Sequence, residues 1–427
     1  MKYLMLFTML IFIANAQEEL TAEDAVRIGL ANNYTIQIAR NDQQIAENST
    51  GYGRANFLPS LAITGAHRYT KSDIDSDLPA LDDVSENLST SGQIALNWTI
   101  FDGFRMFADY RRYRELANLG KYQTRFTIEN TVISILSSYY NLIQQEQLLD
   151  VARDALSVSK TRLNKEQVRK DLGSVSSTDF LDAQVAYNND KSVYINQDLL
   201  VLIARQDFNV LLAREPTVPV SVKKEIQIPP LSLSYEEIKN LALEQNSEIS
   251  IYRQDNLIGN RLVTIGRSAF YPHLSFSSSY GYSDRENIPE KINTRQKDLV
   301  LGLNLTFNLF NGWSDRITLQ NAKIEARSRE LALQDIMNRV NKSVSETYET
   351  YQKILELVSN EETNVRAAVQ NLELQSDRYQ IGAATSLELR DAQLNVVRAR
   401  SALIAVKYQA RIARIAIDQL TGQITVE

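Results

Sequence analysis

Glu388 and Asp391 stand three residues apart, just after a turn signal at Gly382. On a helix that spacing places both carboxylates on one face. Paired acids can do acid–base chemistry, but the surrounding sequence suggests no pocket. Read by residue type alone, the pair is a solvated helix face. The other chemical candidates are weaker. His67 and His273 have no second histidine at ligand spacing, so solvent or interface positions fit better than metal ligation. Asp73, Asp75 and Asp77 alternate as in a calcium loop, but Leu78 takes the place of its glycine and Val84 that of its final glutamate. The stretch reads as an acidic surface loop. No phosphate-binding Gly-Lys-Ser/Thr loop and no Gly-x-Ser-x-Gly elbow occurs. The sequence thus points away from an enzyme and implies no cofactor.

Composition narrows the classes further. The 427 residues carry a net charge of −6, which gives nucleic acid no excess of positive charge to meet. There is no cysteine, hence no disulfide, thiolate nucleophile or Cys-based metal site. Lys2, the apolar run Leu4–Ile13 and Ala14-Asn15-Ala16 read as a signal peptide over 1–16, cut before Gln17. No later stretch is long and apolar enough for a transmembrane helix.

The elements that must position Glu388 and Asp391 come from a tandem repeat. Gly53-Arg54, Phe57, Pro59 and Leu61 recur as Gly266-Arg267, Phe270, Pro272 and Leu274, a shift of 213. Phe101-Asp102-Gly103 recurs as Phe310-Asn311-Gly312, Gly173 as Gly382, and Asp182-Ala183-Gln184 as Asp391-Ala392-Gln393, all at 209. Two repeats follow, over 17–213 and 233–427, joined by a linker at 214–232 that holds Pro216, Pro219, Pro229 and Pro230. Each should form short helices, a β-hairpin (about 58–101 and 271–310) and a long helical hairpin (about 103–213 and 313–422).

Apolar heptads mark the long helices. Ile135, Leu142, Leu149, Leu156 and Leu163 form one; Val344, Tyr351, Val358, Val365, Leu372 and Tyr379 form the other. Such a seven-residue period is a coiled-coil seam. Trp313 to Tyr379 is 67 residues, roughly 100 Å of helix. The strands alternate: Ile94, Leu96, Trp98 and Ile100 share one face, as do Leu299, Leu301, Leu303 and Leu305, with Thr64, Ser275, Ser277 and Ser279 opposite. An apolar face backed by small polar residues suits a barrel wall between lipid and water. Phe57, Phe101, Phe270, Tyr271 and Phe310 gather at one hairpin end like an interfacial girdle. Four strands cannot close a barrel, so the chain must oligomerise. The alternative is an exported soluble coiled-coil scaffold with a half-buried sheet.

With its two repeats, four strands, long hairpins and export signal, the chain resembles the TolC family of outer-membrane efflux and secretion channels over nearly its whole mature length. The Phe-Asp/Asn-Gly motif and the tip glycine followed by Asp-Ala-Gln carry that resemblance in both copies. The resemblance implies a mainly α mixed fold. Helical hairpins of a homotrimer would form an α-barrel crossing the periplasm, below a 12-stranded transmembrane β-barrel in the outer membrane of a Gram-negative bacterium. The linker would lie in an equatorial belt. Implied partners are a periplasmic adaptor, an inner-membrane transporter and outer-membrane lipid, with no nucleic acid. The implied function is passive conduction in a tripartite efflux or type I secretion system, gated at the periplasmic tips. By similarity Glu388 and Asp391 ring the aperture; six carboxylates from three copies would attract cations and raise some of their pKa values. Thr178, Asp179 and Tyr379 match gate positions where a tyrosine hydrogen-bonds an aspartate on the neighbouring coil. Tyr379 also ends the heptad seam, so packing is its other role. Gly173 and Gly382 match adaptor-contact tips. The sequence departs from the family at Ala384, where a gate arginine is expected.

Overall fold

The computed structural model describes residues 19–74, 83–172 and 177–424. The signal peptide, the centre of the acidic loop and Gly173 lie outside them. In chain order the elements are α1 (Ala22–Asn32), α2 (Tyr34–Asn48), β1 (Ser60–Ile74), β2 (Asp83–Asp102), α3 (Arg105–Asp171) and α4 (Ser177–Leu211). The second copy supplies α5 (Tyr235–Gln245), α6 (Ser247–Ser268), β3 (His273–Asn287), β4 (Ile292–Thr306), α7 (Ser314–Gln380) and α8 (Ser386–Leu420). The long helices α3 and α7 are 67 residues each, and α4 and α8 are 35 each. No helix among the described residues is long and apolar enough to cross a membrane.

The chain divides into two compact units, and each sequence repeat contributes to both. One takes Asn41–Gln123 and Glu248–Ile336; the other takes the chain up to Arg40, Thr124–Ser247 and Met337–Glu427.

The first of these holds an antiparallel sheet in the order β1-β2-β3-β4. Its register aligns the alternation read from sequence. Ile63 faces Ile94, Ile94 faces Tyr280, and Tyr280 faces Leu299; Leu61, Leu96, Ser278 and Leu301 form the next row. Strand side chains alternate in direction, so these rows share one face and Thr64, Ser275, Ser277 and Ser279 take the other. The apolar face is bare: Leu61, Ile63, Leu299, Leu301, Leu303 and Leu305 are all exposed. Ile100 departs from its expected place. The register shifts between Thr99 and Phe101, so Ile100 is a bulge residue and Phe101 pairs with Leu274 on the apolar face instead. At this end aromatic rings pack, with Phe101 5.0 Å from Phe104, Phe104 5.6 Å from Tyr271 and Phe57 5.2 Å from Phe107.

The Phe-Asp/Asn-Gly motif starts the long helices. Met106 N–H donates to Asp102 Oδ1 at 3.0 Å and Asp315 N–H to Asn311 Oδ1 at 3.4 Å, which satisfies donors the first helical turn leaves open. Gly103 and Gly312 hold φ of +67° and +66°, followed by left-handed Phe104 and Trp313.

In the other unit the heptad seam is buried at Ile135, Leu142, Leu149, Val344 and Tyr351 and half-buried from Leu156 and Val358 onward. The core packs Ile135, Leu142 and Ile143 of α3 with Phe208 and Leu212, and with Val220, Val222 and Ile226 of the proline-rich segment. The repeat is visible in its hydrogen bonds. Asn33 Nδ2 donates to Leu211 O at 2.9 Å, and its counterpart Asn246 donates to Leu420 O at 3.3 Å.

Candidate functional site

The turn between α7 and α8 is built from backbone rules. Gly382, at φ +77°, ends α7. Ala383 N–H reaches back to Arg378 O at 2.7 Å and Gly382 N–H to Tyr379 O at 3.2 Å, the paired bonds of a Schellman stop. Arg378 Nη2 donates to Ala383 O at 3.1 Å, so this arginine braces the turn. A Cβ on Gly382 would meet open space, leaving the left-handed backbone as the reason for glycine here.

Thr385 then caps α8. Its hydroxyl accepts Glu388 N–H at 3.2 Å, while its own N–H and hydroxyl donate to Glu388 Oε2 at 2.7 and 2.9 Å. This reciprocal capping box holds the Glu388 carboxyl below the usual carboxylate range. The Thr385 backbone N–H contributes most, then its hydroxyl, with the Arg378 charge adding to both. Crowded acids would shift it the other way, so within one chain Glu388 is a helix cap. Asp391, like Glu388, is exposed.

Tyr379 sits one turn before the stop, and its hydroxyl donates to Glu166 Oε1 of α3 at 2.5 Å. Arg169 Nη1 lies 3.3 Å from the same hydroxyl and 3.4 Å from that carboxylate oxygen. Lys165 stands over the Tyr379 ring, 5.2 Å from its centroid. Glu166 is only 1% exposed. Burial pushes the Tyr379 phenol up, and the hydrogen bond to Glu166 and its charge add to the shift. One hydroxyl has one proton to give, so in this conformation the Tyr379 proton goes to Glu166, not to Asp179. Asp179 lies in the first turn of α4 and is half-buried, whereas Thr178 beside it is exposed.

A second pair ties the two shorter helices. Arg390 of α8 donates through Nη1 to Asp190 Oδ2 and through Nη2 to Asp190 Oδ1, both at 2.8 Å. Their side chains are 15% and 10% exposed. The same region is cross-tied by Arg162 Nη2 donating to Ser386 Oγ at 2.5 Å.

A family model described as outer membrane efflux protein matches residues 26–214 and 239–423, one segment per repeat. The chain belongs to that family. As a TolC-type outer-membrane factor it is an efflux-family channel protein of the Gram-negative outer membrane. It is 23% identical over 415 residues to the alkaline protease secretion protein AprF of Pseudomonas aeruginosa, covering 91% of this chain and 83% of that protein. It is 21% identical to the probable efflux pump outer membrane protein TtgC of Pseudomonas putida, covering 95% and 81%. Among solved structures, the Campylobacter jejuni CmeC outer membrane channel superposes with a TM-score of 0.82 at 16% identity, covering 95% of this chain and 87% of that one. The open-state MtrE channel of Neisseria gonorrhoeae gives 0.73 at 17%, covering 95% and 90%.

Within the outer membrane efflux fold of this chain, Tyr379, Gly382, Glu388 and Asp391 flank one turn. Glu166, Arg169 and Asp190 escaped the sequence reading, which marks Arg378 and Arg390 as cations near the tip but gives them no partners. Glu166 lies in the charged run Lys165-Glu166-Gln167-Val168-Arg169-Lys170, where nothing marks one acid as buried. Asp190 and Arg390 did leave a signal. Their counterparts at the 209 shift are Ala399 and Leu181, so a charge replaces a non-polar residue on each partner helix.

Proposed function

We propose that three copies of this chain close a 12-stranded barrel and a 12-helix tunnel, conducting substrate passively from an inner-membrane transporter and periplasmic adaptor. The observation that carries the trimer is the sheet. Its outward apolar face is exposed, and β1 and β4 each pair with a single strand among the described residues. A membrane leaves no open edge unpaired, and further copies supply the missing partners. In this reading 17–213 and 233–427 are the structural repeats after removal of 1–16, and 214–232 lies at the equator. The chain does no covalent chemistry, and cargo choice rests with the transporter.

The gate lies at the tips. Asp391, Asp179 and Glu388 supply charge at the aperture, and Thr178 and Tyr379 supply hydrogen bonds between coils. Gly382 presents its turn to the adaptor, and the same contact role is proposed for Gly173, which lies outside the described residues. Where Ala384 takes the place of the family arginine, Arg169 is the cation beside the Tyr379 hydroxyl. The test is the oligomer mass of the purified mature protein, followed by single-channel conductance in a planar bilayer. Discrete cation-selective steps from a trimer are expected. A monomer, or a trimer that stays silent even with Asp179, Glu388 and Asp391 changed to alanine, overturns the reading.

A further inference from the structure

The apolar face of the sheet continues onto α3. Phe101 stands on that face, paired with Leu274, and its ring lies 5.0 Å from Phe104 at the mouth of the helix. Phe104 lies 6.4 Å from Phe107, and both rings are exposed. Arg111 and Arg114 follow Phe107 at the i+4 and i+7 positions of α3, the spacing of one helix face. Both are exposed. Arg54 joins them from the segment between α2 and β1. Its neighbour Tyr52 stacks on Tyr110 at 4.9 Å, and its own guanidinium lies 5.9 Å from the Tyr113 ring.

The acids nearby are already paired. Asp109 meets Arg105 at 3.3 Å and Arg112 at 2.9 Å, Glu115 meets Arg261 at 3.3 Å, and Glu47 meets Lys121 at 3.6 Å. Among the described residues, Arg54, Arg111 and Arg114 have no carboxylate within ion-pair reach. Three positive charges thus stand uncompensated in a chain of net charge −6. A second copy does not cover α3 here, because its own chain flanks it. A Cβ on Gly120 would lie 3.2 Å from Ala46 Cβ of α2, and Glu115 accepts from Gln254 and Arg261 of α6 at 2.6 and 3.3 Å.

Depth decides the occupant. Aromatic rings at the end of a barrel wall mark the edge of the hydrocarbon. With the helical rise, Arg111 lies about 6 Å and Arg114 about 10 Å beyond Phe107. A headgroup layer is roughly 5–8 Å deep. Side chains on a helix lean towards its N-terminus, which for α3 is the membrane end, and an arginine's long stem carries its charge along that lean. The guanidinium groups therefore reach the level of lipid phosphates, which they can hold with paired hydrogen bonds. A zwitterionic headgroup brings its own cation; one with net negative charge neutralises the patch.

We infer that Arg54, Arg111 and Arg114 form a headgroup site for an anionic phospholipid of the periplasm-facing leaflet, its acyl chains lying along Phe104 and Phe107. The site rests on the reading of the apolar sheet face as lipid-facing. The full set occurs once per chain. The second copy keeps cations at Arg267 and Lys323, the counterparts of Arg54 and Arg114, but has Gln320 for Arg111 and Arg316 for Phe107.

Trp98 is placed to report on it, since its Nε1 donates to Phe57 O at 3.0 Å and the Phe57 ring lies 5.2 Å from Phe107. The chain has two tryptophans, so Trp313→Phe leaves Trp98 as the single indole. The mature protein is reconstituted in mixed bilayers of phosphatidylcholine and phosphatidylglycerol, with one or the other brominated on its acyl chains. Bromine quenches indole fluorescence on contact, so the two mixtures give the lipid preference beside Trp98. A preference for phosphatidylglycerol of at least about fivefold is expected, the factor one basic residue supplies at an anionic surface. Changing Arg54, Arg111 and Arg114 together to glutamine should remove most of it. Changing Lys342, Lys353 and Arg366 to glutamine, which takes equal charge from exposed positions of the other unit, should leave it intact. Equal quenching by both lipids, an unchanged preference in the first triple variant, or an equal loss in the second would each overturn the site while leaving the lipid-facing sheet standing. Quenching by neither lipid would overturn the lipid-facing reading and the site with it. Helicity by circular dichroism shows that the variants have folded.

Discussion

Tyr379 Oη lies 2.5 Å from Glu166 Oε1, tying the last turn of α7 to the end of α3 through a carboxylate that is 1% exposed. A bond in so dry a place is costly to leave half-made. Tyr379→Phe removes the donor and leaves Glu166 with Arg169 at 3.4 Å, a loss of about 1–3 kcal/mol. Glu166→Gln keeps an acceptor and should cost less. If this contact helps to hold the tips closed, Tyr379→Phe also raises single-channel open probability. Thermal melting and bilayer recording read the two effects separately. A melting temperature equal to that of the parent would show that the bond contributes nothing.

A different tyrosine sets the alkaline limit. Tyr139 donates to Leu20 O at 3.0 Å, and burial, reinforced by neighbouring Tyr140, pushes its phenol up to about 12 from an ordinary 10.0. The unfolded chain loses this proton first. The contribution of Tyr139 is therefore intact below pH 10 and is lost as pH rises towards 12. Melting temperature should fall across that window, and Tyr139→Phe should make the fall shallower. An unchanged slope would show that Tyr139 ionises freely in the fold.

The two tip acids separate by role. Glu388 is bound into the cap of α8, and its lowered pKa stabilises the fold above the ordinary carboxylate range, an effect lost as pH drops through the folded value. Thr385→Ala should fray the first turn of α8, seen as faster amide exchange at Leu387–Leu389. Asp391→Asn keeps the shape and removes charge, so it should weaken cation selectivity without altering exchange there. Selectivity loss in Thr385→Ala alone would reverse the assignment.

Asp190 and Arg390 test what a helix-interface ion pair is for. Asp190→Ala or Arg390→Leu alone leaves a largely buried charge without its partner, at about 3–5 kcal/mol. The double variant installs at each position the residue type that its own counterpart carries, since Ala399 and Leu181 occupy the matched sites. It should regain most of the lost stability in thermal melts. Additive losses would show that the two side chains act independently.

Elements whose rules are local were legible in the sequence. The period of two fixed which strand residues share a face, the seven-residue period fixed the seam, and Gly382 marked the stop of α7. Ile100 was misplaced because a bulge breaks the period without leaving a residue-type signature. Glu166 and Asp190 were missed for a different reason. A buried acid is defined by what covers it, and the covering residues lie 213 and 200 positions away in sequence. Glu388 was found but read for its charge, although Thr385 three residues before it already spelled a capping box.

The repeated Phe-Asp/Asn-Gly motif gives the cleanest comparison, because one backbone conformation occurs in two surroundings. Gly103 and Gly312 share φ near +67°, so alanine at either pays for a left-handed residue, about 1–2 kcal/mol. Only Gly103 is enclosed. A Cβ there would lie 2.3 Å from Ser268 O and 2.9 Å from Tyr271 Cβ, whereas at Gly312 nothing lies within 4 Å. Backbone at 2.3 Å must move, and it would push α6 away from the β2–α3 corner. Gly103→Ala should therefore lower the melting temperature well beyond Gly312→Ala and reduce recovery of folded protein. Equal effects would mean that the corner yields freely and that the left-handed turn alone selects glycine in both copies.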